Sequence, residues 1–220
     1  MGFGDLAYRC DPSRAALVVV DVQVDFCRPP EGRSGGGRAM EEMGDHLLAL
    51  TTTAHAAQVP VIFVQTIHGT DSDSPAWRSR RGSLAPYERE LCKPGTEGME
   101  FFRVAPRDGD IVIVKHRYDA FVGTQLDEIL KSLRREAVIL AGTLTDVCVE
   151  TTLRHAVCLD YMVTLVSDCC ASTTVERHEL ALGRVSESFG SVADSLEIAA
   201  MWGSEPPGAV EPALVNDLSR

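Results

Sequence analysis

Apolar residues along this chain fall into two alternating arrangements. Continuous apolar runs occupy Ala15 to Asp21 (AALVVVD), Val61 to Thr66 (VIFVQT), Ile111 to Lys115 (IVIVK), Ala137 to Gly142 (AVILAG) and Tyr161 to Ser167 (YMVTLVS). Such runs suit strands covered on both faces, as in a parallel sheet. A short last strand is expected at Ser191 to Asp194. Between the runs, apolar positions recur every three or four residues. They are Met40, Met43, Leu47, Leu50, Ala54 and Ala57, then Leu126, Ile129, Leu130 and Leu133, then Val149, Leu153, Ala156 and Val157, and finally Leu182, Val185 and Phe189. These are the buried stripes of helices. Strands alternating with helices predict a three-layer α/β fold, with a central, mainly parallel sheet of about six strands and helices on both faces.

Two stretches break the rhythm. Pro29 to Gly37 is rich in Pro and Gly and reads as a loop. From Ile67 to Arg107 the periodicity fades, and Gly, Pro and charges dominate. So long a stretch in a compact domain is usually functional, and residues 67–107 are read as an insertion forming a lid or loop over a site. Residues 204–220 carry three prolines and acids and are expected to be an irregular tail. With no internal repeat, residues 1–220 read as one domain.

Composition narrows the function classes. Apolar content of 45% and charged content of 24% are ordinary for a soluble globular protein. No apolar run is long enough to span a membrane. A net charge of −11 argues against a nucleic-acid partner, which would need a basic face. Met1 to Arg14 lacks a basic region followed by an apolar one, so no secretory signal is expected and a cytoplasmic location follows. The seven cysteines are odd in number and show no C-x-x-C spacing, which predicts packed, reduced thiols.

In a parallel α/β sheet the site lies beyond the carboxyl ends of the strands. Asp21, Lys115 and the turn from Gly142 to Cys148 all stand there, so three groups far apart in sequence converge on one edge. Cys148 opens a helix, where the dipole and free N–H groups favour a thiolate and can hold an oxyanion. Asp21 can take the thiol proton and return it to a leaving amine. Lys115 supplies the positive charge that keeps acid and thiolate reactive. Taken singly, each residue has an ordinary explanation: a packed cysteine, a turn acid, a solvated lysine. Their joint placement is what points to nucleophilic catalysis.

The residues around these three carry a family resemblance. Asp21-Val-Gln-Val-Asp25-Phe26 resembles the D-x-Q-x-D-F opening of the isochorismatase-like hydrolases. Lys115 to Phe121 with Gly123 to Asp127 is similar to their second block, and Gly142-Thr-Leu-Thr-Asp-Val-Cys148-Val-Glu150 to their nucleophile turn. The similarity runs from about Arg14 to Trp202. It implies a Rossmann-like sheet, the triad Asp21, Lys115 and Cys148, and a cis peptide at Thr143-Leu144 that aims the N–H groups of Leu144 and Cys148 at an oxyanion. It also implies a small-molecule substrate, no cofactor, and a homodimer or homotetramer.

Other residues near the motifs are candidates for the pocket. Gln23 and Asp25 shape the loop floor or touch substrate. Phe26 and Tyr118 line the pocket or pack in the core. Trp77 and Arg117 are candidate substrate contacts. The cluster of Arg78, Arg80, Arg81 and Arg117 is a candidate fork for a carboxylate, or else pairs with Asp71, Asp73, Glu88 and Glu90. Asp146 and Glu150 are read as caps that compensate the helix dipole. Nicotinamidases of the superfamily hold a metal through Asp-x-His and a further histidine; here that stretch is Thr66-Ile67-His68, the aspartate is missing, and no metal is expected.

Three functions compete. One is an amidohydrolase cleaving a C–N bond of a small amide or ureido substrate through a thioester. The second is an isochorismatase cleaving a vinyl ether, a reaction that does not need the thiol. The third is a binding protein with a degenerate site. The cysteine and the intact triad favour the first. Within it, the chain most resembles the ureidoacrylate, biuret and N-carbamoylsarcosine branch, through the Lys115 to Asp127 block and the run Cys-Val-Glu-Thr-Thr.

Overall fold

The computed structural model describes residues 5–29, 37–80 and 91–203. Six strands form one sheet: β1 (Ala15–Val20), β2 (Val61–Thr66), β3 (Ile111–Lys115), β4 (Ala137–Thr143), β5 (Met162–Ala171) and β6 (Ser191–Ala193). All pair in parallel, in the order β3-β2-β1-β4-β5-β6. The expected α/β architecture is therefore the one present.

The helices sort to the two faces by sequence alternation. Leu17 and Val19 of β1, with Phe63 of β2, point to one face, against α3 (Arg38–Ala56) and α8 (Ser195–Met201). Val18 and Val20, with Ile62 and Val64, point to the other, against α5 (Leu126–Ser132), α6 (Glu150–Cys158) and α7 (Val175–Ser188). Both faces are covered, so β1 and β2 are buried at every position and can be apolar throughout. Burying each such Val, Leu or Ile contributes about 1.5–3 kcal/mol. Edge strand β3 is different: Ile113 is buried while Val112 and Val114 are exposed.

The stripe read from Met40 to Ala54 is the buried face of α3. Three short helices carried no periodic signal: α1 (Leu6–Arg9), α2 (Val24–Cys27) and α4 (Pro75–Arg78). Helix α8 was also not foreseen, although Asp194 and Glu197 form a capping box at its start. Strand β5 outruns its apolar stretch. Its pairing with β4 slips between Leu165 and Cys170, so Ser167 and Asp168 lie on a bulge before the ladder resumes.

The strand order reverses between β1 and β4, and that switch point opens a crevice at the carboxyl ends. Gly142 holds the two strands together there. Its φ is 122°, and a Cβ would meet the Val20 carbonyl oxygen at 2.0 Å, so only glycine fits. Residues 67–107 leave the sheet between β2 and β3. Residues 81–90 of that segment, and the tail at 204–220, lie outside the described residues.

Candidate active site

Asp21 follows β1 with a φ of 55°, a left-handed conformation that aspartate tolerates better than most residues. Its amide donates to the Val64 carbonyl at 2.9 Å. Its Oδ1 accepts the Thr66 hydroxyl at 2.8 Å, and its backbone carbonyl accepts the Thr143 hydroxyl at 2.8 Å. The ends of β1, β2 and β4 are thus tied together around this carboxylate. From β3, the Lys115 ammonium stands 2.7 Å from Asp21 Oδ2 and donates to the Arg117 carbonyl at 2.8 Å.

The peptide Thr143-Leu144 is cis. After it, Thr145–Val149 makes a π-helical turn that runs into α6. Cys148 sits in this turn, 6% exposed, with its thiol in hydrogen-bonding reach of both Asp21 and Lys115. The structure therefore brings Asp21, Lys115 and Cys148 into one buried cluster.

The electrostatics differ from a simple thiolate site. Burial pushes the Cys148 thiol well above its ordinary value; the Lys115 charge draws it down, the Asp21 carboxylate pushes it up, and burial prevails. Burial pushes the Lys115 ammonium down, but Asp21 and Cys148 outweigh it and hold lysine above its ordinary value. These shifts favour a protonated lysine and a neutral thiol at rest. Sulfur becomes nucleophilic only when its proton leaves.

Gln23 and Asp25 hold a wall. Gln23 Nε2 donates to the carbonyls of Thr66 and Met99, each at 2.9 Å, and its Oε1 accepts the Thr66 amide at 2.8 Å. Gln65 Nε2 donates to the same Met99 carbonyl at 2.7 Å. Asp25 Oδ2 accepts the Cys92 amide at 2.7 Å, and the carboxylate lies so close to Gly98 that a Cβ there would meet it at 2.0 Å. With Val24 donating to Glu100 and Phe102 to Val22, the segment 97–102 is fixed to residues 22–25. Phe26 follows on α2, half-buried. Cys92 is a second buried thiol bordering the site, within the fields of Asp21, Lys115 and Cys148.

A second cluster gathers on Trp77, on α4. Tyr118 packs against its ring with centroids 4.7 Å apart, and His68 stacks at 5.8 Å. The guanidinium groups of Arg80 and Arg117 lie 3.9 Å and 4.9 Å from the ring centre. Arg80 also donates to the Tyr118 hydroxyl at 2.9 Å, and Arg117 to the carbonyls of His116 and Ser72. Arg117 stands 3.9 Å from Asp73, so one pairing weighed for the cluster is present. Arg81, Glu88 and Glu90 lie outside the described residues. The Trp77 indole N–H is buried and has no hydrogen-bond partner among the described residues.

Two sequence readings change. Asp146 and Glu150 do not cap the helix. Asp146 binds the Ser172 hydroxyl and Arg177, and Glu150 pairs with Arg154 and Arg184, each at 2.6 Å. Thr66 and Thr143, which tie down Asp21, were passed over. Thr66 ends the apolar run of β2, so the strand-end argument that found Asp21 and Lys115 also reaches it. For a metal, the His68 ring is engaged by Asp73 at 3.0 Å and by Trp77. Among the described residues no group of three or more His, Cys, Asp or Glu side chains is arranged to hold an ion.

Comparison with known proteins places this geometry. The isochorismatase domain family matches residues 15–197. The chain is 28% identical to the ureidoacrylate amidohydrolase RutB of Acinetobacter baylyi, covering 86% of this chain and 84% of that protein. It is 29% identical to RutB of Azorhizobium caulinodans, covering 87% and 92%. Among solved structures, it is similar to a cysteine hydrolase from Pseudomonas syringae pv. phaseolicola, with a TM-score of 0.79 and 27% identity over 88% of this chain and 94% of that one. It is also similar to N-carbamoylsarcosine amidase from Thermoplasma acidophilum, with a TM-score of 0.68 and 27% identity over 83% and 96%.

Proposed function

The chain belongs to the isochorismatase family of hydrolases, and from that premise we propose that it is a cysteine-dependent amidohydrolase cleaving a C–N bond of a small amide or ureido substrate. The observation that carries this reading is the buried contact of Asp21 with Lys115 beside the Cys148 thiol. The names of its relatives, ureidoacrylate amidohydrolase and N-carbamoylsarcosine amidase, support the bond type.

Asp21 removes the thiol proton as the Cys148 sulfur attacks the substrate carbonyl carbon. Lys115 stays charged and offsets the negative charge that the pair would otherwise accumulate. The N–H groups of Leu144 and Cys148 hold the tetrahedral oxyanion. The C–N bond then breaks, the proton passes from Asp21 to the leaving nitrogen, and a thioester remains on Cys148. Water, deprotonated by Asp21, hydrolyses that thioester and returns the proton to sulfur.

Around this centre, Gln23 serves the floor through the three hydrogen bonds of its side-chain amide, while Phe26, Trp77, Arg117 and Tyr118 contact the substrate. The buried indole N–H of Trp77 finds no acceptor among the described residues and supports this, because an unmet donor of that kind costs about 1–3 kcal/mol. An assembly of two or four copies belongs to the same proposal and is read by sedimentation.

The test is ammonia release from a panel of amides and ureido acids, with Cys148→Ala beside the parent. We expect the variant to keep its circular dichroism and lose hydrolysis, with an acyl adduct on Cys148 of the parent in rapid-quench mass spectra. Substantial turnover by Cys148→Ala would overturn the covalent route.

A further inference from the structure

Helix α7 turns one face to the segment that bears Cys148. On that face Ala181 and Val185 are fully buried, flanked by Arg177, His178 and Arg184. Arg177 binds Asp146, Arg184 binds Glu150, and His178 Nδ1 lies 2.9 Å from the Thr145 hydroxyl oxygen. Three of the six residues from Thr145 to Glu150 are therefore gripped by one helix.

These grips are not equivalent. Arg177 and Arg184 are about half exposed, at 52% and 43%, so water screens their ion pairs. Thr145 is fully buried, and its bond to His178 is a directional one that no exposed guanidinium shares. It also acts at the critical place, one residue after Leu144 and three before Cys148. A π-helical turn is not a self-sufficient local structure, and such turns recur at functional positions. Burial pushes the His178 imidazole below its ordinary value more than Glu179 and Asp146 raise it. A neutral ring keeps one nitrogen as an acceptor for the threonine hydroxyl. His178 also lines a cavity of about 210 Å³, together with His46, Asp168, Ser172 and Thr174.

We propose that His178 is a positioning residue for the reaction: through Thr145 it fixes the turn from Leu144 to Cys148, so that the sulfur and the N–H groups meet the substrate carbonyl together. This rests on the reading of Cys148 as nucleophile. His178 touches no reacting atom. Its effect belongs to the orientation of the turn, and so to kcat rather than to substrate affinity.

The experiment compares the parent with His178→Ala, His178→Asn and Thr145→Val. It measures kcat, KM, melting temperature and the rate of Cys148 alkylation by iodoacetamide, followed by mass spectrometry. His178→Ala should lower kcat roughly 10- to 100-fold with little change in KM, since misplacement of about 1 Å costs on that scale. It should also change the alkylation rate. Asn places a polar atom near the position of Nδ1, and His178→Asn should recover most of kcat. Thr145→Val should reproduce the loss, and the double variant should add little to it. A His178→Ala protein with kcat within about twofold of the parent, or an Asn variant no better than Ala, overturns the proposal. Should Thr145→Val fail to fold, the contrast of Ala with Asn at 178 still decides. Loss of activity in Cys148→Ala alongside an unaffected His178→Ala sinks only this proposal, whereas an active Cys148→Ala sinks both.

Discussion

Lys115 Nζ stands 2.7 Å from Asp21 Oδ2, and each of the two side chains is only 1% exposed. Neither charge has water to fall back on, so each depends on the other. Removing one partner strands the other in the interior, at a cost of about 3–5 kcal/mol. We expect Asp21→Ala and Lys115→Met each to lower stability by that order in urea unfolding. A double variant, Asp21→Asn with Lys115→Met, should recover much of the stability and none of the activity. Single variants as stable as the parent would show that the pair is not ionised in the folded protein.

Stability should have a plateau with two limbs. Burial pushes the Glu150 carboxyl up, but bonds from Arg184 and Arg154 outweigh it and hold it below its ordinary 4.5. Its contribution is complete above that value and is lost as pH falls through the lowered folded value. Lys115 is held above its ordinary 10.5, so its contribution is complete below that value and is lost as pH rises through the folded one. The melting-temperature gap between the parent and Glu150→Gln should stay constant from about pH 6 to 8 and close as the pH falls below 4.5 and through the lowered folded value. A gap that persists in acid would mean that Glu150 acts through packing rather than charge.

Chelation should leave the rate unchanged. The reason is the donor set: His68 is occupied by Asp73 and Trp77, and the stretch around it lacks the Asp-x-His pair. Prolonged dialysis against a chelator is the measurement. A collapse of activity that zinc or iron reverses would contradict it.

An anionic substrate should be preferred over its neutral analogue. Arg117 follows Lys115 by two residues and lies over Trp77, with one terminal nitrogen donating to the carbonyls of Ser72 and His116. An N-carbamoyl amino acid compared with its methyl ester should differ by about ten- to a hundred-fold in kcat/KM, the worth of one charge-assisted bond of roughly 1.5–3 kcal/mol. Arg117→Ala should erase the difference. Equal turnover of acid and ester would make an uncharged amide the better substrate class.

Most of the sheet was legible because β1 and β2 are covered on both faces, which forces an unbroken apolar run. The cluster was legible because strand ends share one edge of such a sheet. What escaped were side-chain ties between distant segments. His178 and Thr145 are 33 positions apart, and nothing local marks either of them. The role of Gln23 was open for the same reason, since its three bonds run to residues on β2 and in the 91–107 stretch. Helix α8 was missed although its Asp194-Ser-Leu-Glu197 start is a readable capping signal; seven residues are too few to show a period. The slipped pairing of β5 had no signal, because polar Ser167 and Asp168 look like the end of a strand.

The bonds from Gln23 and Asp25 to the segment 97–102 also bear on how such an enzyme can change its diet. The stretch that presents Asp21 is the stretch from which this wall hangs, so altering the wall disturbs Asp21, and the two must be inherited together. By contrast, the segment around α4 rests on rings and guanidinium groups stacked about Trp77. Stacking tolerates exchange of shape in a way that a hydrogen-bonded wall against a glycine does not. New specificities, whether arising by drift or by grafting, should therefore accumulate on the Trp77 side while the Gln23 side stays fixed.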